Sequence, residues 1–273
     1  MQKSNVREKL SRGEPVHAVK LAYQDPAIYE MAGLMGFDCA WICNEHIGID
    51  PSKMDSIIRA CRASGMDSMI RVKPGDYRDI LHVLEMGAKG IMLPRVMSVA
   101  EVKKVVADMK FFPQGRRGAD GVNAEADFGL VPFADYLRLA NEKNFLMIQV
   151  EDPEAVEIIE QLAEIDGVDI IFVGPGDLSV NYGIPGQLDD PRILKVCERV
   201  AAACKKNGKA AGIPAGTPER VRRFMDMGYS FICKGSDYYF IKNGLTALKT
   251  EMESFGFKFR SPLESAAPGK GGY

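Results

Sequence analysis

The chain has 273 residues, 46% of them apolar and 26% charged, with a formal net charge of -2. That is enough apolar material for one large core, and strand–helix barrels commonly run near ~250 residues. The near-neutral balance, with no arm dense in Lys and Arg, argues against nucleic acid or an anionic membrane as the main partner.

Short β-branched apolar runs alternate with longer amphipathic stretches. The first strand is predicted over residues 17–23 and the first helix over 26–34. CAWIC, Cys39–Cys43, is the second strand, followed by a helix over 51–63 with Pro51 in its first turn and Asp50 as its cap. Strand three spans 68–72, its helix 76–86, and strand four 90–93. Ser98 then opens a helix, and Glu101 three residues later completes a capping-box pattern. Residues 111–132 read as a long loop carrying Arg116 and Arg117. Strand five (145–150), a helix (153–165), strand six (168–173) and a helix (191–206) follow. Strand seven (210–213), a helix (217–227), strand eight (230–233) and a helix (237–252) close the series.

Eight such units in order predict a single-domain (β/α)8 TIM barrel over 1–273. An open doubly wound sheet is the alternative, disfavoured because no Gly-x-Gly-x-x-Gly follows the first strand. The last stretch, SPLESAAPGKGGY (261–273), reads as a mobile tail or as packing on a neighbouring subunit. The six cysteines form no CxxC pair and read as reduced, buried thiols of a cytoplasmic protein. The polar N-terminal segment lacks the apolar centre of a signal peptide, and no run approaches the ~18 apolar residues of a membrane span.

In a barrel, residues at the C-terminal strand ends share one mouth. The candidates there are Asn44, Glu45 and His46, then Arg71 and Lys73, Arg95, Gln149 and Glu151, Asp177, and Asp237. Glu151 ends the apolar run FLMIQVE and is either a helix cap or a ligand for a hard divalent cation. Asp177, in GPGDLS on the next strand end, has the same two readings, and together they make a plausible two-carboxylate site. The glycines of that turn let backbone approach a ligand, and the Gly176 and Asp177 amides at a helix start suit a carboxylate. Arg71 ends MIRV and either binds an anion or polarised oxygen or forms a salt bridge with Glu45 or Glu85. Lys73, next to Pro74, reads as rim rather than as a Schiff-base lysine.

These stretches resemble the HpcH/HpaI aldolases, the metal-dependent class II pyruvate aldolases, from about Val16 to Leu248. The resemblance rests on GFDCAWICNEH, MIRV, EMGAKGIMLPRV, FPQGRRG, LMIQVEDPEAV and above all GVDIIFVGPGDLSVNYG. It implies Glu151 and Asp177 as metal ligands and Mg²⁺, Mn²⁺ or Co²⁺ as the cofactor. It implies Arg71 at the enolate oxygen, Gln149 lining the pocket, and the Gly176 and Asp177 amides on the pyruvate carboxylate. It further implies His46 in the acid–base apparatus, Ile213 against the acceptor aldehyde, and a homohexamer with exchanged C-terminal helices. Two departures stand out. Cys43 occupies a position that is usually acidic ahead of the Glu-His pair, and Glu85 stands where an Asp is common. The expected reaction is reversible cleavage of a 4-hydroxy-2-oxo acid to pyruvate and an aldehyde. The alternatives are an enolate-forming lyase or decarboxylase, including one acting on a CoA thioester, and a 2-oxo acid binding protein without turnover.

Overall fold

Period-two alternation decides which side chains fill a barrel and which face its helices. The computed structural model describes residues 1–73 and 75–263. Its strands are β1 (Val16–Leu21), β2 (Cys39–Cys43), β3 (Asp67–Arg71), β4 (Gly90–Leu93), β5 (Phe145–Val150), β6 (Ile170–Val173), β7 (Ala210–Pro214) and β8 (Phe231–Ser236). They pair in parallel in chain order and close, β8 against β1. The predicted barrel is therefore the observed one. Most of the tail expected over 261–273 lies outside the described residues.

The two parities of each strand build two cores. Val19, Ile42, Ile70, Ile91, Ile148, Ile171 and Ile213 point outward and pack with the helices. Ala18, Trp41, Met69, Met92, Met147, Phe172 and Cys233 point inward. The pairing register stacks the inward residues in tiers drawn from alternate strands. Near the C-terminal end one tier is Trp41, Met92, Phe172 and Cys233, and the tier above it is Lys20, Arg71, Gln149 and Pro214. Between Asp67 at its N-terminal end and this last tier the interior is apolar, and at the last tier it turns polar.

The outer ring comprises α2 (Pro26–Leu34), α3 (Pro51–Ser64), α4 (Tyr77–Glu85), α5 (Val99–Met109), α10 (Pro191–Lys206) and α11 (Pro218–Asp226). Asp25, Asp50, Asp76, Asp190 and Thr217 each accept a backbone N–H in the first turn of the helix they precede. Ser98 accepts from the Glu101 N–H at 3.2 Å, while the Glu101 carboxylate accepts from the Met97 N–H at 2.9 Å. The helix expected over 153–165 is broken at Ile158 into α7 (Pro153–Glu157) and α8 (Ile159–Ala163). Two helices were not expected, α1 (Asn5–Ser11) and α6 (Phe133–Lys143), while the helix start expected at Gly176 and Asp177 is that of α9 (Pro175–Asn181). All six cysteines are free and buried.

The last helix, α12 (Asp237–Ser254), buries only Asp237. Tyr239, Phe240, Leu245 and Leu248 on it, and Phe255, Phe257 and Phe259 after it, are all exposed. Among the described residues, no helix is long and apolar enough to cross a membrane.

α1 closes the N-terminal end of the barrel. Val6 enters the inner core, while Asp67 Oδ2 accepts from Ser4 Oγ at 2.7 Å and from the Val6 N–H at 2.9 Å. The clefts on this face hold polar groups that already answer one another. Arg7 pairs with Asp169, and Lys209 Nζ donates to the Ile165 and Val168 carbonyls at 2.8 and 2.6 Å.

Burial pushes the Asp67 carboxyl up to about 6, against the opposing hydrogen bonds from Val6 and Ser4. Its folded-state pKa thus exceeds that of the unfolded chain. The resulting stabilisation is complete below about pH 4 and is lost as pH rises through about 6. Asp67→Asn should therefore gain stability relative to the parent between pH 4 and pH 7, by up to about 3 kcal/mol. Urea unfolding of both proteins at the two pH values measures this. Parallel behaviour would mean that Asp67 ionises as it does in the unfolded chain.

Candidate active site

A guanidinium inside a barrel must be surrounded by acceptors. Arg71, the last residue of β3, is 4% exposed. Its Nη2 donates to Cys43 Sγ at 3.0 Å and its Nη1 to Gln149 Oε1 at 3.4 Å. Its Nε lies 3.0 Å from Glu45 Oε2, an ion pair without the alignment of a hydrogen bond. The guanidinium also sits 5.1 Å from the Trp41 ring centroid, within cation–π range.

Glu151, just past β5, is 2% exposed. Its Oε2 accepts from Gln149 Nε2 at 2.8 Å, and its Oε1 accepts from the Arg95 backbone N–H at 2.7 Å. Arg95 holds a φ of 51°, in the left-handed region that residues bearing a Cβ rarely adopt, at a cost of order 1–3 kcal/mol. Its side chain is anchored to Asp152 at 2.9 Å, which helps hold that backbone. Asn181 of α9 donates to the Glu151 carbonyl and to Asp152 Oδ1, both at 3.0 Å, and so ties α9 to the end of β5.

Burial pushes the Glu151 carboxyl up to about 7, and the negative charge of Asp177 adds to the effect; the Arg95 N–H and Arg71 oppose it. Two acids whose charges repel each other form a donor set that suits a hard divalent ion. Such ions often take only one or two protein carboxylates, with water and substrate oxygens completing the shell. Among the described residues, no group of three or more His, Cys, Asp or Glu could hold a metal. Two carboxylates alone would leave the rest of a shell to water and substrate oxygens.

β2 supplies the opposite wall. Asn44 Oδ1 accepts from the Ile49 N–H at 3.2 Å and shapes the turn that presents Glu45 and His46. His46 is exposed, its Nε2 3.8 Å from the same Glu45 oxygen that faces Arg71. Burial raises the Cys43 thiol, but hydrogen bonds from the His46 N–H and Arg71 outweigh it and leave the thiol below its ordinary value. α9 begins at Pro175 with no side-chain cap, so its first-turn N–H groups are free for a ligand. Gly176 and Asp177 on that turn are exposed, and a Cβ added at Gly176 would meet nothing within 4 Å.

The sequence matches the HpcH/HpaI aldolase/citrate lyase family over residues 21–243. The chain belongs to this family. It is 32% identical over 239 residues to the hydroxypyruvate/pyruvate aldolase of Agrobacterium fabrum, spanning 86% of this chain and 88% of that one. Its fold superposes on the HpcH/HpaI aldolase of Desulfitobacterium hafniense DCB-2 with a TM-score of 0.86 at 26% identity, over 94% of this chain and 99% of that one. The citrate synthase SbnG superposes with a TM-score of 0.84 at 27% identity, over 92% and 98% of the two chains. The protein is accordingly an enzyme with class II aldolase or lyase chemistry on small 2-oxo acids.

Of the expected family site, the barrel brings together Arg71, Gln149, Glu151 and Asp177, with His46 reaching the group through Glu45. Two expected residues lie elsewhere. Ile213 has outward parity and packs in the core between strands and helices; the inward residue of β7 at this height is Pro214. Glu85 is the last residue of α4, and the chain turns from there into the start of β4. It therefore lies at the opposite end of the barrel, where Arg117, Asp120 and Glu125 are its charged neighbours. The long predicted loop is anchored there by Arg117, whose Nη2 meets Glu125 at 2.6 Å with both side chains fully buried. Lys73 is exposed, as expected of a rim residue.

Sequence reasoning passed over the groups that hold Glu151 in place: the Arg95 backbone, Asn181 and Gly174. A Cβ at Gly174 would lie 2.6 Å from Glu151 Oε2 and 2.7 Å from its Cβ, too close for the carboxylate to stay where it is. Gly174→Ala should fold normally yet lose turnover on the order of 10²-fold, the scale of a displacement near 1 Å. Far-UV circular dichroism and steady-state kinetics measure the two effects. Full activity in the variant would show slack that the present packing denies.

Proposed function

We propose that the enzyme is a divalent-metal-dependent aldolase that reversibly cleaves a 4-hydroxy-2-oxo acid to pyruvate, or a related 2-oxo acid, and an aldehyde. The observation that carries this reading is the buried Glu151 carboxylate, fixed by Gln149 and through it to Arg71, and within reach of the Asp177 charge. Mg²⁺, Mn²⁺ or Co²⁺ would be held by Glu151 and Asp177, and when bound it would polarise the 2-oxo group and favour the enolate.

The chain's own residues supply the rest. Arg71, fixed on several sides, stabilises the oxygen on which negative charge builds. Gln149 donates to Glu151 and accepts from Arg71, so it sets the spacing of the two charges. The Gly176 and Asp177 amides, on the uncapped first turn of α9, bind the substrate carboxylate. In cleavage the C4 hydroxyl proton leaves through water to His46, whose exposure beside Glu45 suits a water-mediated transfer. The C3–C4 bond then breaks, the aldehyde departs, and the remaining enolate takes a proton from water in the mouth.

Two kinds of variant should separate occupancy from chemistry. Glu151→Gln and Asp177→Asn should weaken metal binding and regain activity in excess Mn²⁺. Arg71→Lys cannot reach Cys43, Glu45 and Gln149 at once. It should bind metal normally and lose turnover on the order of 10²–10³-fold, without rescue. Metal titration calorimetry beside a cleavage assay on a panel of 4-hydroxy-2-oxo acids decides the matter. Activity indifferent to EDTA would end the proposal.

We also infer self-association, with a hexamer as the expected state. The supporting feature is α12, which presents apolar side chains to solvent along most of its length. Light scattering at micromolar concentration should give a multiple of the chain mass, and Leu245→Glu with Leu248→Glu should shift it downward. A monomeric parent protein would contradict the inference.

A further inference from the structure

The sequence holds four Asp-Pro pairs, and each stands where a helix begins: Asp25, Asp50, Asp152 and Asp190 precede α2, α3, α7 and α10. In three of them the carboxylate accepts a backbone N–H in the first turn of its helix. Asp152 differs. It precedes Pro153 with extended backbone, yet its side chain makes no cap hydrogen bond. The carboxylate turns away from α7, and the helix starts without it.

What the carboxylate grips instead lies at the mouth. Asp152 is 4% exposed, and its Oδ1 accepts from Arg95 Nη2 at 2.9 Å and from Asn181 Nδ2 at 3.0 Å. Arg95 is the residue whose backbone N–H donates to Glu151 Oε1 at 2.7 Å. That N–H points at the carboxylate while φ is 51°, a conformation that a residue with a Cβ leaves unless something restrains it. The Arg95 side chain is 53% exposed, and Asp152 is its one ion-pair partner among the described residues. The contacts close a ring. The Glu151 carboxylate meets the Arg95 backbone, the Arg95 side chain meets Asp152, and Asp152 follows Glu151 in the chain.

We propose that Asp152 is a positioning residue for the metal site. By holding the Arg95 side chain it keeps the Arg95 backbone left-handed, and so keeps in place the N–H that fixes Glu151. Its carboxylate serves this contact rather than the cap of α7. The inference rests on the reading of Glu151 as a ligand of a divalent ion.

Titration calorimetry of the metal-stripped, full-length protein with Mn²⁺ tests it. Asp152→Ala should weaken Mn²⁺ binding about 10- to 100-fold, the range for losing a group that orients a ligand. Arg95→Ala, which keeps the Cβ and loses the anchor, should do the same. Arg95→Gly should bind Mn²⁺ about as tightly as the parent, because glycine holds a positive φ without help. For the same reason, adding Arg95→Gly to Asp152→Ala should recover most of the loss, a rescue that general damage to the fold around Asp152 would not allow. The Arg95 side chain is more than half exposed, so the comparison of Ala with Gly at that position stands even where Asp152→Ala does not fold. Three results would each overturn the assignment and leave the metal reading in place: equal Mn²⁺ binding by Arg95→Ala and Arg95→Gly, parent-like binding by Asp152→Ala, or a double variant as weak as Asp152→Ala alone. A parent protein that takes up no Mn²⁺ removes both.

Discussion

Burying a guanidinium costs several kcal/mol unless its donors find partners, and Arg71 is buried at the boundary between an apolar barrel and its polar mouth. The partners come from different strands: Cys43 from β2, Glu45 just past it, and Gln149 from β5. Gln149 in turn orients Glu151, which the Arg95 amide holds from the other side. The arrangement is a chain of fixed groups rather than a cluster of independent side chains. Disturbing one link moves the next, which is why a single methyl group at Gly174 bears on a carboxylate two steps from Arg71.

Cys43 illustrates how such a chain tolerates substitution. The position carries a thiol where the family resemblance leads one to expect an acid. The sulfur accepts from Arg71 and from the His46 N–H, and these contacts lower its pKa despite burial. A polarised thiol can therefore receive the same donors as a carboxylate, with less fixed negative charge. The consequence falls on Arg71, whose formal countercharge becomes Glu45 alone.

The barrel was legible because eight apolar runs and several Asp-Pro or Thr-Pro helix starts occur in regular order. Glu151, Asp177, Arg71 and Gln149 were legible because charged or amide groups at the ends of apolar strands are conspicuous. Ile213 was misplaced by one residue, and one residue in a strand reverses the side chain. Counting by twos from Ala210 and Gly212 selects Pro214 instead. The same count from Val16 and Ala18 selects Lys20, which was hidden because a lysine near a strand end reads as solvated. Glu85 sits on a helix pattern whose end, in an αβ unit, belongs to the far face of the barrel. α1 and α6 were missed for another reason. Their sequences are polar outside a few anchors, and it is Val6 and Tyr136, both fully buried, that fix them to the rest of the fold.

The charges of the mouth are best understood together. A divalent ion, held as proposed, would offset Glu151 and Asp177, while Glu45 offsets Arg71 and Asp152 offsets Arg95. Asp237, buried at the end of β8, gives its Oδ2 to the Ala22 and Tyr23 N–H groups, so its charge is met by backbone rather than by a side-chain cation. A 2-oxo acid would bring one further negative charge, and the uncapped first turn of α9 lies open to receive it.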